Sequence, residues 1–178
     1  MKKTNLELKH YCSDFVGVRK VLRAMGAKKE VVKKQEDYFF ELPEKTSGIS
    51  PRLKLRLEGN VKSLIYYERP DFGKTDETTS RITLYDVRDN ELLPFLKQAL
   101  GIKAIVNKTR EVWRKSDTVF HLDTIKGIGS IFEIELQKTG KITHADRTRF
   151  TLYRDRLLPY LGEMIKSSNV DLVRVASK

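Results

Sequence analysis

Charged side chains alternate with apolar ones along several segments of the chain. The segments Asn5–Lys9, Arg52–Leu57 and Phe132–Leu136 show this alternation most clearly. It is typical of a β-strand with two unlike faces, and here the polar face is almost wholly charged. Over all predicted strands, that face contains eight cations (Lys9, Arg52, Lys54, Arg56, Arg69, Arg81, Lys108 and Arg110) and four carboxylates (Glu7, Asp123, Glu133 and Glu135). If the sheet curls, these groups meet inside it.

The residue types on this face fit a phosphate compound and a divalent metal. Arg and Lys match the oxygens of a triphosphate, which carries about four negative charges near neutral pH. Glu133 and Glu135 stand two residues apart, so their carboxylates point the same way on a strand and can hold Mg²⁺ or Mn²⁺. We therefore predict a small triphosphate as the partner and Mg²⁺ or Mn²⁺ as the cofactor.

The elements that must position these residues form an α+β fold. We predict a closed antiparallel β-barrel, or tunnel, of about eight strands, because a barrel of that size holds side chains and one small ligand. Helical patterns cover residues 13–25, 90–100 and 143–165 and are expected to pack on the apolar outer face. No internal repeat divides the chain, so residues 1–178 are predicted to form a single domain.

The composition of the chain indicates which partners and which cellular compartment to expect. Thirty-five Lys and Arg residues against 24 Asp and Glu residues leave a formal charge of +11, which favours anionic partners. Nucleic acid is less favoured than a small triphosphate, and a homodimer stays open. Cys12 is the single cysteine, so an internal disulfide is excluded and a reducing compartment is favoured. Without a long apolar run or a signal-peptide pattern, we expect a cytoplasmic protein with no membrane partner.

The ordered set of motifs resembles the CYTH superfamily, the triphosphate tunnel metalloenzymes, which includes class IV adenylyl cyclases and thiamine triphosphatases. The opening signature of that family is Glu-x-Glu-x-Lys, and Asn5–Lys9 stands in its place. The further matching segments are, in order, Gln35–Phe39, Arg52–Arg56, Tyr67–Pro70, Lys108–Arg110, His121–Asp123, Gly127–Gly129 and Phe132–Glu135. The resemblance spans residues 5 to about 165.

The resemblance implies a tunnel of about eight strands, a divalent metal and triphosphate substrates. It assigns phosphate binding to Lys9, Lys54, Arg56, Arg69, Arg81, Lys108 and Arg110, and metal binding to Glu7, Glu133 and Glu135, with Asp123 as a further candidate. Glu7, Lys9 and Arg110 are the predicted catalytic residues. Asn5 departs from the signature, and because an amide brings no negative charge, we expect a lower metal affinity. Arg69 stands where many relatives have Lys.

Three functions are compatible with these residues. Hydrolysis of the terminal phosphate is favoured, because a charged cage recognises phosphate alone. The alternative is a class IV adenylyl cyclase, in which the ribose 3′-oxygen of ATP attacks the α-phosphate. A third is a non-catalytic binder of polyphosphate or RNA 5′ ends, which would bind triphosphate equally well in the presence of a chelator. His121, beside Asp123, is interpreted as an orienting or structural residue.

Overall fold

The computed structural model describes residues 2–43, 49–70 and 78–176. Within these residues the strands are β1 (Lys2–Tyr11), β2 (Lys28–Phe40), β3 (Ile49–Glu58), β4 (Val61–Pro70), β5 (Thr78–Val87), β6 (Ile102–Lys115), β7 (Thr118–Ile125) and β8 (Gly129–Lys138). The helices are α1 (Phe15–Ala24), α2 (Leu92–Leu100), α3 (His144–Leu157) and α4 (Asn169–Ala176), with a 3₁₀ turn at Leu158–Tyr160. None of these helices is long and apolar enough to span a membrane.

The strands close into a barrel in the order β1-β5-β4-β3-β2-β6-β7-β8, with β8 paired to β1. Every pair is antiparallel, which confirms the predicted fold class. The register sets charged residues opposite one another inside the barrel. Lys9 lies opposite Glu133, and Arg110 lies opposite Asp123. Since side chains alternate across a strand, each such pair projects to the same side of the sheet.

Part of the outer face of the barrel is apolar and covered by helices, as predicted, whereas Arg81 of β5 and Asn107 of β6 are exposed. Leu8 of β1 and Ile134 of β8 pack in one buried cluster with Leu22 of α1 and Phe150 of α3. A second outer cluster joins the strand residue Leu55 to α2. Complete burial of one such side chain contributes about 1.5–3 kcal/mol, so these helices hold the barrel wall in place.

The third predicted helix is shorter than expected. It begins at a capping box, in which the Thr143 side chain accepts from the Asp146 backbone and Asp146 accepts from the Thr143 backbone. It ends at Leu157, two residues before Pro159, which has no backbone N–H to continue the ladder. The chain then returns to the barrel, where the Gly162 N–H donates to the Tyr11 carbonyl at 2.8 Å. The prediction of one helix over residues 143–165 is therefore wrong at its C-terminal end.

Helix α4 was not predicted, and it closes one end of the barrel. Its Val170 packs in a buried cluster with Phe39, Val106 and Ile131, which lie at one end of their strands. Phe39 also lines the central cavity, as do the two residues that begin α4 or precede it. We call this apolar end the floor of the cavity. We call the other end the mouth; it is lined by Val61, Leu84, Val112 and Val119.

Candidate functional site

A cavity of about 500 Å³ lies inside the barrel. Its wall contains eight of the predicted site residues, namely Glu7, Lys9, Lys54, Arg56, Lys108, Arg110, Glu133 and Glu135. The alternation within each strand brings them inward, while the residues between them form the apolar outer clusters. Eight charged groups therefore share one enclosed space.

On the β2–β3 side of the cavity, Asp37 holds two cations. The Lys54 ammonium donates to Asp37 Oδ2 at 2.8 Å, and the Arg56 guanidinium donates to both carboxylate oxygens at 2.6 and 2.8 Å. Burial alone would raise the pKa of Asp37, but the charges of Lys54 and Arg56 outweigh it and hold that pKa well below the ordinary value. A bidentate contact of this kind fixes the guanidinium plane.

Asp123 plays the same part on the β6–β7 side. It accepts from Arg110 at 2.6 and 2.5 Å and from Lys108 at 3.1 Å. Both carboxylate oxygens of this fully buried residue accept from cations. Burial would raise the pKa of Asp123, but the charges of Arg110 and Lys108 outweigh burial and lower it. The structure therefore does not support Asp123 as a metal ligand: it orients two cations that line the cavity instead. We call Lys54, Arg56, Lys108 and Arg110, with Asp37 and Asp123, the basic wall.

The basic wall concentrates positive charge in a buried space. Burial, together with repulsion from Arg56, lowers the pKa of Lys54 to about 7. Burial and repulsion from Arg110 lower the pKa of Lys108 to about 8. An anion bound between them would reverse both shifts, since it favours the charged ammonium forms. The arrangement is therefore suited to a highly charged phosphate ligand.

Next to the basic wall, on β7 and β8, are His121, Glu133 and Glu135, whose potential ligand atoms all lie within 4.8 Å of one another. We call these three residues the acidic corner. Glu133 Oε2 lies 3.7 Å from the Lys9 ammonium and 3.4 Å from the Arg110 guanidinium. Burial would raise the pKa of Glu133, but Arg110 and Lys9 keep it below the ordinary value, so the carboxylate is ionised. Arg110 thus contacts both Asp123 and the acidic corner.

Glu135 is surrounded by neutral donors. Its oxygens contact Asn5 Nδ2, Gln137 Nε2 at 3.2 Å and His121 Nε2 at 3.0 Å. Burial and the charge of Arg110 lower the pKa of His121, so its imidazole is neutral near pH 7. Glu7 lines the same cavity, directly opposite Glu135 in the β1–β8 register.

Two buried polar atoms at this corner have no hydrogen-bond partner within the described ranges. They are the amide oxygen of Asn5 and Nδ1 of His121. Carboxylate oxygens, an amide oxygen and a neutral imidazole are all donor groups that divalent metals accept. The residues of the acidic corner therefore fit a divalent metal.

Three predicted phosphate ligands lie elsewhere or outside the described residues. The prediction that Arg81 faces the cavity is wrong: its side chain is exposed, whereas Ser80 and Ile82 line the cavity from β5. The Arg52 guanidinium donates to Asp171 Oδ2 of α4 at 3.1 Å, and Arg52 does not line the cavity. The backbone of Arg69 belongs to β4, but its side chain lies outside the described residues.

The CYTH domain family model matches residues 4–154, which include the barrel except the first two residues of β1. The chain belongs to the CYTH family. Enzymes of this family depend on a divalent metal and bind triphosphate substrates, in agreement with the acidic corner and the basic wall.

Relatives of this CYTH chain resemble it over nearly their whole length. A protein of Methanocaldococcus jannaschii, named as a candidate adenylate cyclase, is 25% identical over 177 residues, with 97% of this chain and 94% of that protein covered. Among solved structures, the PH1012 protein of Pyrococcus horikoshii has a TM-score of 0.72 at 21% identity, with 94% and 98% covered. The Hippeastrum protein HpAC1 has a TM-score of 0.62 at 14% identity, with 96% and 95% covered. These structural similarities show the fold.

The sequence patterns did not predict the roles of two residues at the site, Asp37 and His121. Asp37 was noted without a role, although alternation along β2 places it on the cavity side with Gln35 and Phe39. His121 was interpreted as orienting or structural, although it lines the cavity beside the two carboxylates. In both cases the position within the strand was readable, but the partner depended on pairing with a distant strand.

Proposed function

We propose that this CYTH protein is a metal-dependent triphosphatase that hydrolyses the terminal phosphate of nucleoside, thiamine or inorganic triphosphates. The observation that carries the proposal is the arrangement of the basic wall and the acidic corner around one cavity of about 500 Å³. A cavity of that size encloses one small ligand. Four fixed cations match the oxygens of a polyphosphate chain, and the adjacent carboxylates fit the metal that accompanies it.

The basic wall binds and orients the substrate. Asp37 and Asp123 hold Arg56 and Arg110 in bidentate contacts, so these guanidinium groups need little reorganisation when phosphate binds. Arg110 also contacts Glu133, so it lies where the bound phosphates meet the acidic corner. Arg110 and Lys9 are therefore placed to stabilise negative charge that develops on the attacked phosphate.

Glu133 and Glu135 are the proposed ligands of Mg²⁺ or Mn²⁺, with Glu7 beside them. Such a metal neutralises phosphate charge and helps to orient the attacking oxygen. Glu7 is the proposed group that orients the attacking water and accepts its proton. The oxygen of that water forms a bond to the terminal phosphorus while the bridging P–O bond breaks, and the products are phosphate and a diphosphate.

Adenylyl cyclase activity is the second candidate. Val61, Leu84, Val112 and Val119 line the mouth of the cavity among charged residues that include Glu58, Asp86 and Arg114, and their aliphatic side chains offer contacts to an organic group that inorganic triphosphate lacks. The M. jannaschii relative is also named as a candidate adenylate cyclase. Hydrolysis remains the first choice because the strongest contacts address phosphate alone. The description of HpAC1 as having a dominant triphosphatase activity agrees with that order.

The test is a product analysis with three substrates. The purified chain is incubated with inorganic triphosphate, ATP and thiamine triphosphate, each with Mg²⁺, Mn²⁺ or EDTA. We expect metal-dependent release of phosphate. Cyclic AMP and pyrophosphate from ATP would identify a cyclase instead. Tight binding of triphosphate that is equal in EDTA, without turnover of any substrate, would identify a non-catalytic binder of polyphosphate or RNA 5′ ends.

A further inference from the structure

One of the potential ligands in the acidic corner is a nitrogen. His121 lies on β7, facing the cavity, and its ring is within 4.8 Å of ligand oxygens of both Glu133 and Glu135. Oxygen and nitrogen ligands bound to one divalent metal at about 2.1 Å lie at most about 4.2 Å apart, so these groups need little movement to share an ion. All three residues are more than nine-tenths buried.

Two of the unsatisfied buried polar atoms of the cavity wall lie at the same place; others belong to Gln35, Ser80 and Asn169. His121 is 5% exposed, and Asn5 is 2% exposed. Neither Nδ1 of His121 nor Oδ1 of Asn5 has a hydrogen-bond partner among the described residues. A buried polar atom without a partner costs about 1–3 kcal/mol, so its presence in a cavity wall points to a ligand that satisfies it. Both atoms can donate a lone pair, as a metal requires.

The charge at this corner is lower than the count of carboxylates suggests. Glu133 pairs with Lys9 and Arg110, and Asn5 adds no charge where the family signature has a carboxylate. Mg²⁺ is a hard ion that sheds water reluctantly and is bound mainly through charged oxygens. Imidazole nitrogen favours transition metals, whose affinity rises from Mn²⁺ towards Cu²⁺.

We propose that His121 is a direct metal ligand, together with Glu133 and Glu135, and that this mixed nitrogen and oxygen set makes the site select Mn²⁺ over Mg²⁺. The inference rests on the proposed function for the presence of a metal site and goes further by naming the ligand and the ion. The competing reading is that His121 only orients Glu135 through the 3.0 Å contact of its Nε2. In that case the metal has oxygen ligands alone.

The experiment measures metal binding without substrate. The untagged, metal-free protein is loaded with Mn²⁺ alone, and pulsed electron paramagnetic resonance records the coupling of the electron spin to ¹⁴N. We expect a directly bound imidazole nitrogen in the parent protein, and no such signal in His121→Gln. Calorimetric titrations with Mn²⁺ and with Mg²⁺ should show tighter binding of Mn²⁺. His121→Gln should weaken Mn²⁺ binding by at least about tenfold, a scale seen when the surroundings of a metal ligand are disturbed, and Mg²⁺ binding much less.

His10→Gln is the matched control. His10 is 4% exposed and also lies on a barrel strand, but its Nδ1 contacts the Gly162 carbonyl at 2.8 Å and it does not line the cavity. This variant should keep the ¹⁴N signal. Absence of ¹⁴N coupling in the Mn²⁺-loaded parent would overturn the proposal, and this measurement needs no variant to fold. Failure to bind Mn²⁺ at all would overturn it as well. A parent with the nitrogen signal but no turnover of any triphosphate would refute the proposed function and leave the ligand assignment standing.

Discussion

The basic wall and the acidic corner line the same cavity, but they differ in whether their polar atoms find hydrogen-bond partners within the protein. Each cation of the basic wall bonds to an aspartate, and the two aspartates lie on β2 and β7, the strands on either side of β6. At the acidic corner, His121 and the neighbouring Asn5 each have one buried atom without a partner among the described residues. The four cations of the basic wall thus have their partners within the protein, whereas the two atoms at the acidic corner are left for the metal that we propose. A preorganised anion site beside an adaptable metal site is suited to substrates that arrive with a metal.

Arg110→Gln should have the largest effect, because Arg110 belongs to the basic wall and also contacts the acidic corner. We expect turnover of triphosphate to fall by about a thousandfold, as when a cation that stabilises a transferring phosphate is removed. The free energy of unfolding should fall by about 3–5 kcal/mol, since the fully buried Asp123 loses a partner. Steady-state kinetics and denaturant unfolding measure the two effects.

Two further variants separate these effects of Arg110. The double variant Arg110→Gln with Asp123→Asn should recover much of the stability and none of the turnover, because it removes the stranded charge. Arg81→Gln removes an exposed cation on β5 and should leave both quantities unchanged. Equal losses of turnover in Arg81→Gln and Arg110→Gln would contradict the assignment of the basic wall.

Glu135→Gln tests the acidic corner. The substitution keeps the volume of the side chain and removes its charge, so the barrel should stay folded while metal-dependent turnover falls by about a hundredfold or more, in line with the several kcal/mol that a catalytic metal supplies. Turnover against metal concentration, with circular dichroism for the fold, measures this. Glu36→Gln, on the outer side of β2, is the control and should behave as the parent. Unchanged turnover in Glu135→Gln would remove that residue from the site.

Most of the barrel and much of the basic wall were predictable, because strict alternation marks the inner face wherever that face is charged. Lys54, Arg56, Glu133 and Glu135 all face the cavity for this reason. The same rule failed at Arg81, because the cavity-facing residues that follow it on β5, Ile82 and Leu84, are apolar. Alternation therefore assigns a polar residue to the inner face correctly only where the inner face of that strand is itself polar.

The features that were missed depend on contacts between distant parts of the chain. Helix α4 has eight residues and forms because Val170 packs on the floor of the cavity, which no local pattern indicates. Asp123 looked like a metal ligand, but its pairing with Arg110 follows from the β6–β7 register. Residue type identified the charges of the site, whereas strand pairing decided which charges neutralise one another.

Asn5→Glu should shift the acidic corner towards stronger metal binding. The new carboxylate would lie beside Glu135, where it attracts a divalent ion in a space of low dielectric. We expect the half-saturating Mn²⁺ concentration to fall by about tenfold, with Mn²⁺ raising the melting temperature more than in the parent, since the metal-free variant holds repelling acids. Asn107→Glu, an exposed position on β6, controls for added charge. A half-saturating concentration that stays the same or rises would show that position 5 is not near the metal.

The smallest expected effect is a pH dependence of phosphate binding by the basic wall. Burial and repulsion from Arg56 lower the pKa of Lys54 to about 7, whereas its ordinary value is 10.5. Between these values the folded protein holds fewer protons on Lys54 than the unfolded chain does, so without added phosphate the free energy of unfolding should rise with pH across this window. Bound triphosphate favours the charged ammonium, and binding must therefore take up a proton above pH 7. Affinity for inorganic triphosphate, titrated in EDTA, should weaken several-fold from pH 6.5 to 8.5 relative to Lys54→Arg, whose guanidinium stays charged. The ratio of the two affinities cancels the titration of the ligand itself, and a ratio that does not change with pH would show that Lys54 is charged throughout.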